Sequence, residues 1–205
     1  MIAVIDYGMG NLHSVQYALD RVGADVCLAR HPEEVRAAER IVLPGVGTFG
    51  ACVDNLTSSG LLEVLEEDVL RGGKPFFGIC LGMQVLARDG EEGGRHQGLG
   101  WISASVQRLD VDSRGLKVPH VGWNEITPRP ETPLFRGFRK TPAFYFVHSY
   151  HLITDDSALV AATCEYGMTF TAAILRDNLF ATQFHPEKSQ EDGLRLLENF
   201  LDWKP

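Results

Sequence analysis

Cys80 stands at the centre of Gly78-Ile79-Cys80-Leu81-Gly82, where two unlike patterns meet. Before it, Pro75-Phe76-Phe77-Gly78-Ile79 is a short apolar run that predicts a buried strand, and after it Leu81 to Ala87 has helical spacing. G-x-nucleophile-x-G between a strand and a helix is the nucleophile elbow, here with cysteine in place of serine. The turn is sharp and holds its nucleophile in strained backbone geometry. Side chains two residues to either side would collide, which favours glycine at both places. The elbow also sets the thiol at a helix N-terminus, which stabilises an anion by about 0.3–2 kcal/mol, or about one pKa unit. An ordinary thiol needs more than that to ionise at neutral pH, so a base is required. The pattern is short, and a lone cysteine is more often a small buried hydrophobe. That plainer reading is the one for Cys27, Cys52 and Cys164.

Phe184-His185-Pro186-Glu187 supplies the base, after an apolar run over 179–184. Histidine and glutamate two apart on an extended chain point to one side, and Pro186 keeps His185 out of helical geometry. Glu187 can accept a bond from one ring nitrogen, or orient the ring through the local turn. Either fixes the tautomer and stabilises the imidazolium formed when the thiol proton is taken. By itself the segment also reads as a strand ended by His-Pro with a solvated glutamate; an elbow cysteine in the same chain favours catalysis. Acyl chemistry further needs two N–H groups aimed at an oxyanion. Leu81, the residue after the nucleophile, is expected to provide one, and Val46 of Pro44-Gly45-Val46-Gly47 the second. Glycines on both sides should make the Val46 peptide easy to reorient.

These residues need a frame that brings positions 45, 80 and 185 together. Ile2 to Ile5, Val26 to Leu28, Arg40 to Leu43 and Pro75 to Ile79 read as short buried strands. Helical stripes lie between them: Val15, Ala18, Leu19 and Val22, then Leu61, Leu62, Leu65, Val69 and Leu70. Strands alternating with helices imply right-handed crossovers and a parallel sheet covered on both faces. The second half differs, with strand-like runs at 118–121, 144–147, 159–163, 170–175 and 179–184 that predict added antiparallel strands, and a last helix near Gln190 to Trp203. The polar segments 88–98 and 128–142 are expected to be loops and not domain boundaries, so residues 1–205 are expected to form a single domain. In such sheets ligands sit outside the carboxyl ends of the strands, where Cys80 lies.

Composition excludes several classes of function. Charged residues are 22% and the net charge is −8, with no long basic run, which argues against nucleic acid. No apolar run reaches the ~18 residues of a membrane span. MIAVIDYGMGNL has no basic leader and meets Asp6, so no signal peptide is expected and the location is expected to be cytoplasmic. The four cysteines form no C-x-x-C pair, so no metal site is expected, and no phosphate loop is present. No cofactor is called for.

GICLGMQ with QFHPEKS resembles the class I glutamine amidotransferases, whose Cys-His-Glu triad hydrolyses glutamine to glutamate and ammonia. DYGMGNL at 6–12, LPGVGTFG at 43–50, GLGW at 98–101, PHVGWN at 119–124 and YFVHSY at 145–150 narrow the resemblance to glutaminase subunits of imidazole glycerol phosphate synthase. The likeness runs from Ile2 to the last helix. It implies the flavodoxin-like class I glutamine amidotransferase fold: a mostly parallel sheet flanked by helices, with antiparallel strands added in the second half. It makes Cys80 the nucleophile, His185 the acid–base and Glu187 its partner. Gly47 and Gln84 would help to hold glutamine, and Ser149 and Tyr150 would meet its amino-acid end. It also implies a heterodimer with a (β/α)₈ cyclase subunit, which uses the ammonia in histidine biosynthesis. Asn11, Pro119, His120, Trp123, Asn124 and Lys188 are the expected interface residues, with Trp123 as an aromatic anchor. The elbow and HPE alone leave open a class I amidotransferase of anthranilate or guanylate synthesis, a stand-alone cysteine hydrolase of γ-glutamyl compounds or peptides, or a non-catalytic flavodoxin-like binding or regulatory module. PHVGWN and YFVHSY argue against the first.

Overall fold

A computed structural model describes residues 1–205. The first half runs β1 (Ile2–Ile5), α1 (Leu12–Arg21), β2 (Val26–Ala29), α2 (Pro32–Ala37), β3 (Arg40–Gly45), α3 (Phe49–Ser58), α4 (Leu62–Leu65), β4 (Phe76–Cys80) and α5 (Leu81–Gln84). The second half is mostly strands: β5 (Asp89–Gly90), β6 (His96–Gln97), β7 (Ser105–Arg108), β8 (His120–Pro128), β9 (Ala143–His148), β10 (Tyr150–Ile153), β11 (Val160–Glu165), β12 (Thr169–Arg176) and β13 (Leu179–Thr182), followed by α6 (Gln190–Asp202).

Nine strands form one sheet in the order β2-β1-β3-β4-β13-β12-β11-β8-β9. The pairs β1–β2, β1–β3, β3–β4 and β4–β13 are parallel. From β13 outward through β12, β11, β8 and β9 every pair is antiparallel. Strand alternation splits the core in two. Ala3, Ile5, Ile41, Leu43 and Phe76 point to the face covered by α2, α3 and α4, while Ile2, Val4, Val42, Phe77 and Ile79 point to the face covered by α1 and α6. No helix is long and apolar enough to cross a membrane.

Several expectations change. The helix after Cys80 is a single turn, Leu81–Gln84, and does not reach Ala87. The carbonyls of Val85, Leu86 and Ala87 are taken by the N–H groups of Leu99, Ile102 and Gly100 instead of by the next helical turn. The stripe over 61–70 begins as α4 and continues as a π-helical turn over Glu66–Arg71. Helices α2 and α3 are additional to the predicted set. Segment 88–98, expected as a loop, carries β5 and β6, which join β7 and β10 in a second sheet of order β10-β7-β5-β6.

The two sheets meet at Ser149, the one residue between β9 and β10. The core of the large sheet tolerates no side chain where the elbow folds back on it. A Cβ on Gly82 would run into the Leu43 carbonyl oxygen of β3, and one on Gly78 would lie 2.5 Å from the Gly82 oxygen. Both blocking atoms are backbone and cannot rotate away. Gly82→Ala is therefore expected to lower unfolding stability by about 3 kcal/mol or more, read as a fall in the denaturant midpoint.

Candidate active site

Cys80 ends β4 with φ 55° and ψ −107°, one of few non-glycine residues with positive φ. The elbow predicted from the glycine spacing is therefore present, and its strain sits at the sulfur-bearing residue. Register places its neighbours. Gly45 of β3 pairs with Cys80, and Thr182 of β13 pairs with Ile79, so the chain leaving β3 and the chain leaving β13 flank the cysteine. Gly45 is required for space: its Cβ would lie 2.8 Å from both the Gly82 nitrogen and the Leu81 Cβ. Gly47, with φ 103°, is the glycine that uses left-handed backbone in this loop. Tyr7 anchors the loop's start, its hydroxyl donating to the Pro44 carbonyl at 2.9 Å and contacting Cys52 Sγ at 3.1 Å. Burial pushes the Cys52 and Cys164 thiols up to about 12, so both remain protonated fillers of the core.

Three residues beyond Thr182, His185 is held by its backbone. Its N–H donates to the Tyr145 carbonyl at 2.9 Å, and its own carbonyl accepts from the Ser189 hydroxyl at 2.6 Å. Ser189 Oγ also accepts the Tyr145 N–H at 3.0 Å, and Asp192 accepts the Ala143 N–H at 2.9 Å. Pro186–Lys188 forms a 3-10 turn instead of the extended run expected. Through that turn Glu187 reaches Nδ1 of His185 at 2.8 Å, with both side chains almost wholly buried. Nε2 makes no hydrogen bond within the protein and is left for proton transfer. Burial opposes charge on this ring, yet the Cys80 sulfur and then Glu187 outweigh it and raise the pKa to about 10.

Cys80 and His185 open on one cleft of about 380 Å³. Of the other predicted residues, Val46, Gly47, Leu81, Gln84, Pro119, Ser149, Tyr150 and Lys188 line it too. Asn11 caps the start of α1, beyond the carboxyl end of β1 and outside this cleft. Trp123 is half exposed on β8, edge-on to Tyr145, and Lys188 lies 5.7 Å over the same Tyr145 ring. The Asn124 amide is engaged internally, donating to the Glu165 carbonyl at 2.9 Å. His120 corrects an expectation: its side chain is buried, stacked between Phe146 and Tyr166, and cannot serve as a surface contact.

Three residues here escaped the sequence reading. Glu92, within the polar segment, lines the cleft while its Oε2 accepts the Phe49 N–H at 2.8 Å. His148 lines it as well and donates to no side chain: its Nδ1 bonds the Tyr150 carbonyl at 2.9 Å, and its Nε2 meets His120 Nδ1 at 3.0 Å. Gln183, fully buried, sits 3.7 Å from Cys80 Sγ through its side-chain nitrogen. His148 and Gln183 fall within YFVHSY and QFHPEKS but their local spacing assigns them no role, and each of the three reaches the site through sheet pairing or a loop crossing. The arrangement offers a nucleophile, a base with a fixed tautomer, and a cleft sized for a small polar molecule, bordered by one carboxylate, Glu92, and one ammonium, Lys188.

The glutamine amidotransferase class-I family model matches residues 3–203, and the chain belongs to that family. Within it, the chain is 50% identical to the imidazole glycerol phosphate synthase subunit HisH of Syntrophotalea carbinolica, over 98% of this chain and 100% of that protein. It is 48% identical to the subunit of the same name from Geobacter sulfurreducens, over 99% of each. The fold is also similar to a crystal structure of a glutamine amidotransferase, with TM-score 0.76 at 20% identity over 98% of both chains.

Burial pushes the pKa of His120 down to about 4 and that of His148 down to about 3, from an ordinary 6.5. Between 6.5 and these values the unfolded chain binds protons that the folded chain refuses, so stability must fall on acidification. Each group contributes up to about 1.4 kcal/mol per pH unit across its window. Thermal unfolding midpoints should drop steadily below pH 6.5, and His148→Asn should show a slope shallower by about one proton.

Proposed function

We propose that this chain hydrolyses glutamine to glutamate and ammonia and passes the ammonia to a cyclase subunit that makes imidazole glycerol phosphate. The observation that carries the reading is the strained elbow at Cys80 set beside the buried His185–Glu187 pair. Cys80 Sγ, its proton already carried by His185, attacks the side-chain carbonyl carbon of glutamine. The tetrahedral oxyanion is met by the N–H groups of Leu81 and Val46. His185 then protonates the departing nitrogen, leaving a thioester on Cys80. Water activated by the now neutral imidazole hydrolyses it and restores the thiol. Glu187 holds the Nδ1–H throughout and stabilises each imidazolium.

Substrate placement follows from charge and donor count. Gln84 spends both amide hydrogens on the Tyr150 carbonyl and on Gln183, so the cleft receives its oxygen, an acceptor. Glu92 adds negative charge nearby. Both suit the ammonium of glutamine, while Gly47, Ser149 and Tyr150 line the same space for the rest of its amino-acid end. Residues 1–205 work as one glutaminase domain.

Ammonia released into water is protonated and diluted, which calls for a partner over the cleft. Val46, Val121, Trp123 and Val147 are large apolar residues left exposed, and Val121 and Val147 are cross-strand partners. This stretch, with Pro119, Lys188, Asn11 and the Asn124 backbone, is the surface on which a (β/α)₈ cyclase subunit is proposed to dock as a heterodimer. The relatives are named as a subunit of imidazole glycerol phosphate synthase, which supports a partner, and apolar exposure of this kind marks an interaction site.

Assays of glutamate release and of cyclase product test the proposal. Cys80→Ala is expected to lower glutamine-dependent synthesis by more than about a thousandfold while synthesis from added ammonia persists. Loss of both activities would show a structural cysteine. Adding the cyclase subunit is expected to raise glutamate release by about 10²–10³, the value of one oxyanion donor, through alignment of the Val46 peptide. Equal rates with and without it would rule that alignment out.

A further inference from the structure

We propose that Gln183 is a further catalytic residue, its side-chain amide donating a hydrogen bond to the Cys80 sulfur in an orientation dictated by the Tyr150 carbonyl. The inference rests on the glutaminase reading above and deepens it.

An amide side chain can be built either way round, and here the network leaves one choice. The Tyr150 carbonyl accepts and never donates, so the Gln84 atom 3.0 Å from it is nitrogen. That nitrogen carries a second hydrogen, directed at Gln183 over 2.9 Å, so the Gln183 atom there is oxygen. The Gln183 nitrogen is then the atom 3.7 Å from Cys80 Sγ. The same carbonyl settles the histidines. His148 Nδ1, 2.9 Å away, must carry a hydrogen, so its Nε2 accepts from His120 Nδ1 at 3.0 Å. One main-chain oxygen thus fixes the direction of every bond from β8 to the nucleophile.

The chemistry follows from burial. Gln183 has no exposure to water, and the sulfur is the only acceptor its N–H groups meet. Such a donor gains most when its acceptor is charged, because charge-assisted bonds are about twice as strong as neutral ones. It therefore favours the thiolate that attacks, and holds the sulfur at the end of β13's side of the cleft. Help from the helix is small, since α5 has a single turn. Gln183 and the imidazolium of His185 are then the groups that meet the sulfur's charge, one neutral and one ionic.

The rate of Cys80 alkylation by iodoacetamide, followed on the full chain by peptide mass spectrometry at neutral pH, separates this role from support of Gln84. Gln183→Glu keeps an acceptor for Gln84 but sets a carboxylate against the sulfur, and is expected to slow alkylation about tenfold or more. Gln183→Met keeps the volume and removes the donor, and is expected to slow it about threefold. The kcat for glutamine should fall in parallel, with KM changing less than about twofold. If the glutamate variant fails to fold, the methionine variant alone decides. Unchanged alkylation with a raised KM would overturn the proposal and leave Gln183 as a brace for the substrate pocket. Wild-type Cys80 reacting no faster than Cys27, Cys52 and Cys164 would instead sink the glutaminase reading beneath it.

Discussion

The close approach between the elbow and β3 is the constraint on which the site depends. Gly82 lies directly on the Leu43 carbonyl, and Gly45 lies on the Gly82 nitrogen. Both contacts are backbone against backbone, so they have no rotamers through which to relax. They hold the end of β4 in the left-handed geometry of Cys80 and hold the start of the Val46 loop beside it. Because β13 is in register on the other flank of β4, the same packing sets His185 within reach. Position is thus decided by sheet register and by the absence of Cβ atoms at Gly45, Gly78 and Gly82, with side-chain bonds only refining it.

The catalytic candidates are legible in the sequence because each is announced locally. Gly78 and Gly82 mark a turn that only glycine fits, and His185-Pro186-Glu187 brings base and orienter within three residues. The parallel half of the sheet reads equally well, since buried parallel strands are continuous apolar runs. What sequence does not show depends on partners far along the chain. The helix after Cys80 stops because Val85, Leu86 and Ala87 give their carbonyls to residues 99–102, a pairing with no local trace. Strands β5 and β6 have two residues each, too few for any period to appear. Gln183 and His148 look like ordinary strand residues until β13 and β9 are placed beside their neighbours.

His120 illustrates the opposite error. It lies in a stretch with an exposed tryptophan, and β alternation alone puts it on the other face from Val121. Reading PHVGWN as one surface patch overlooks that period of two. Corrected for it, the stretch divides cleanly: alternate residues face outward around the cleft, and the histidine between them joins the buried polar chain.

The bonds around Ser189 carry one more meaning. Strand β9 is the last of the nine, and a final strand normally leaves a row of unpaired amides open to any other chain. Here Ala143 and Tyr145 give theirs to Asp192 and Ser189, and the Tyr145 oxygen is taken by His185. The segment that bears the imidazole is therefore also a cover strip along the sheet's open margin. A chain in which that strip detached would lose its reactive ring and become adhesive to its own copies in a single event.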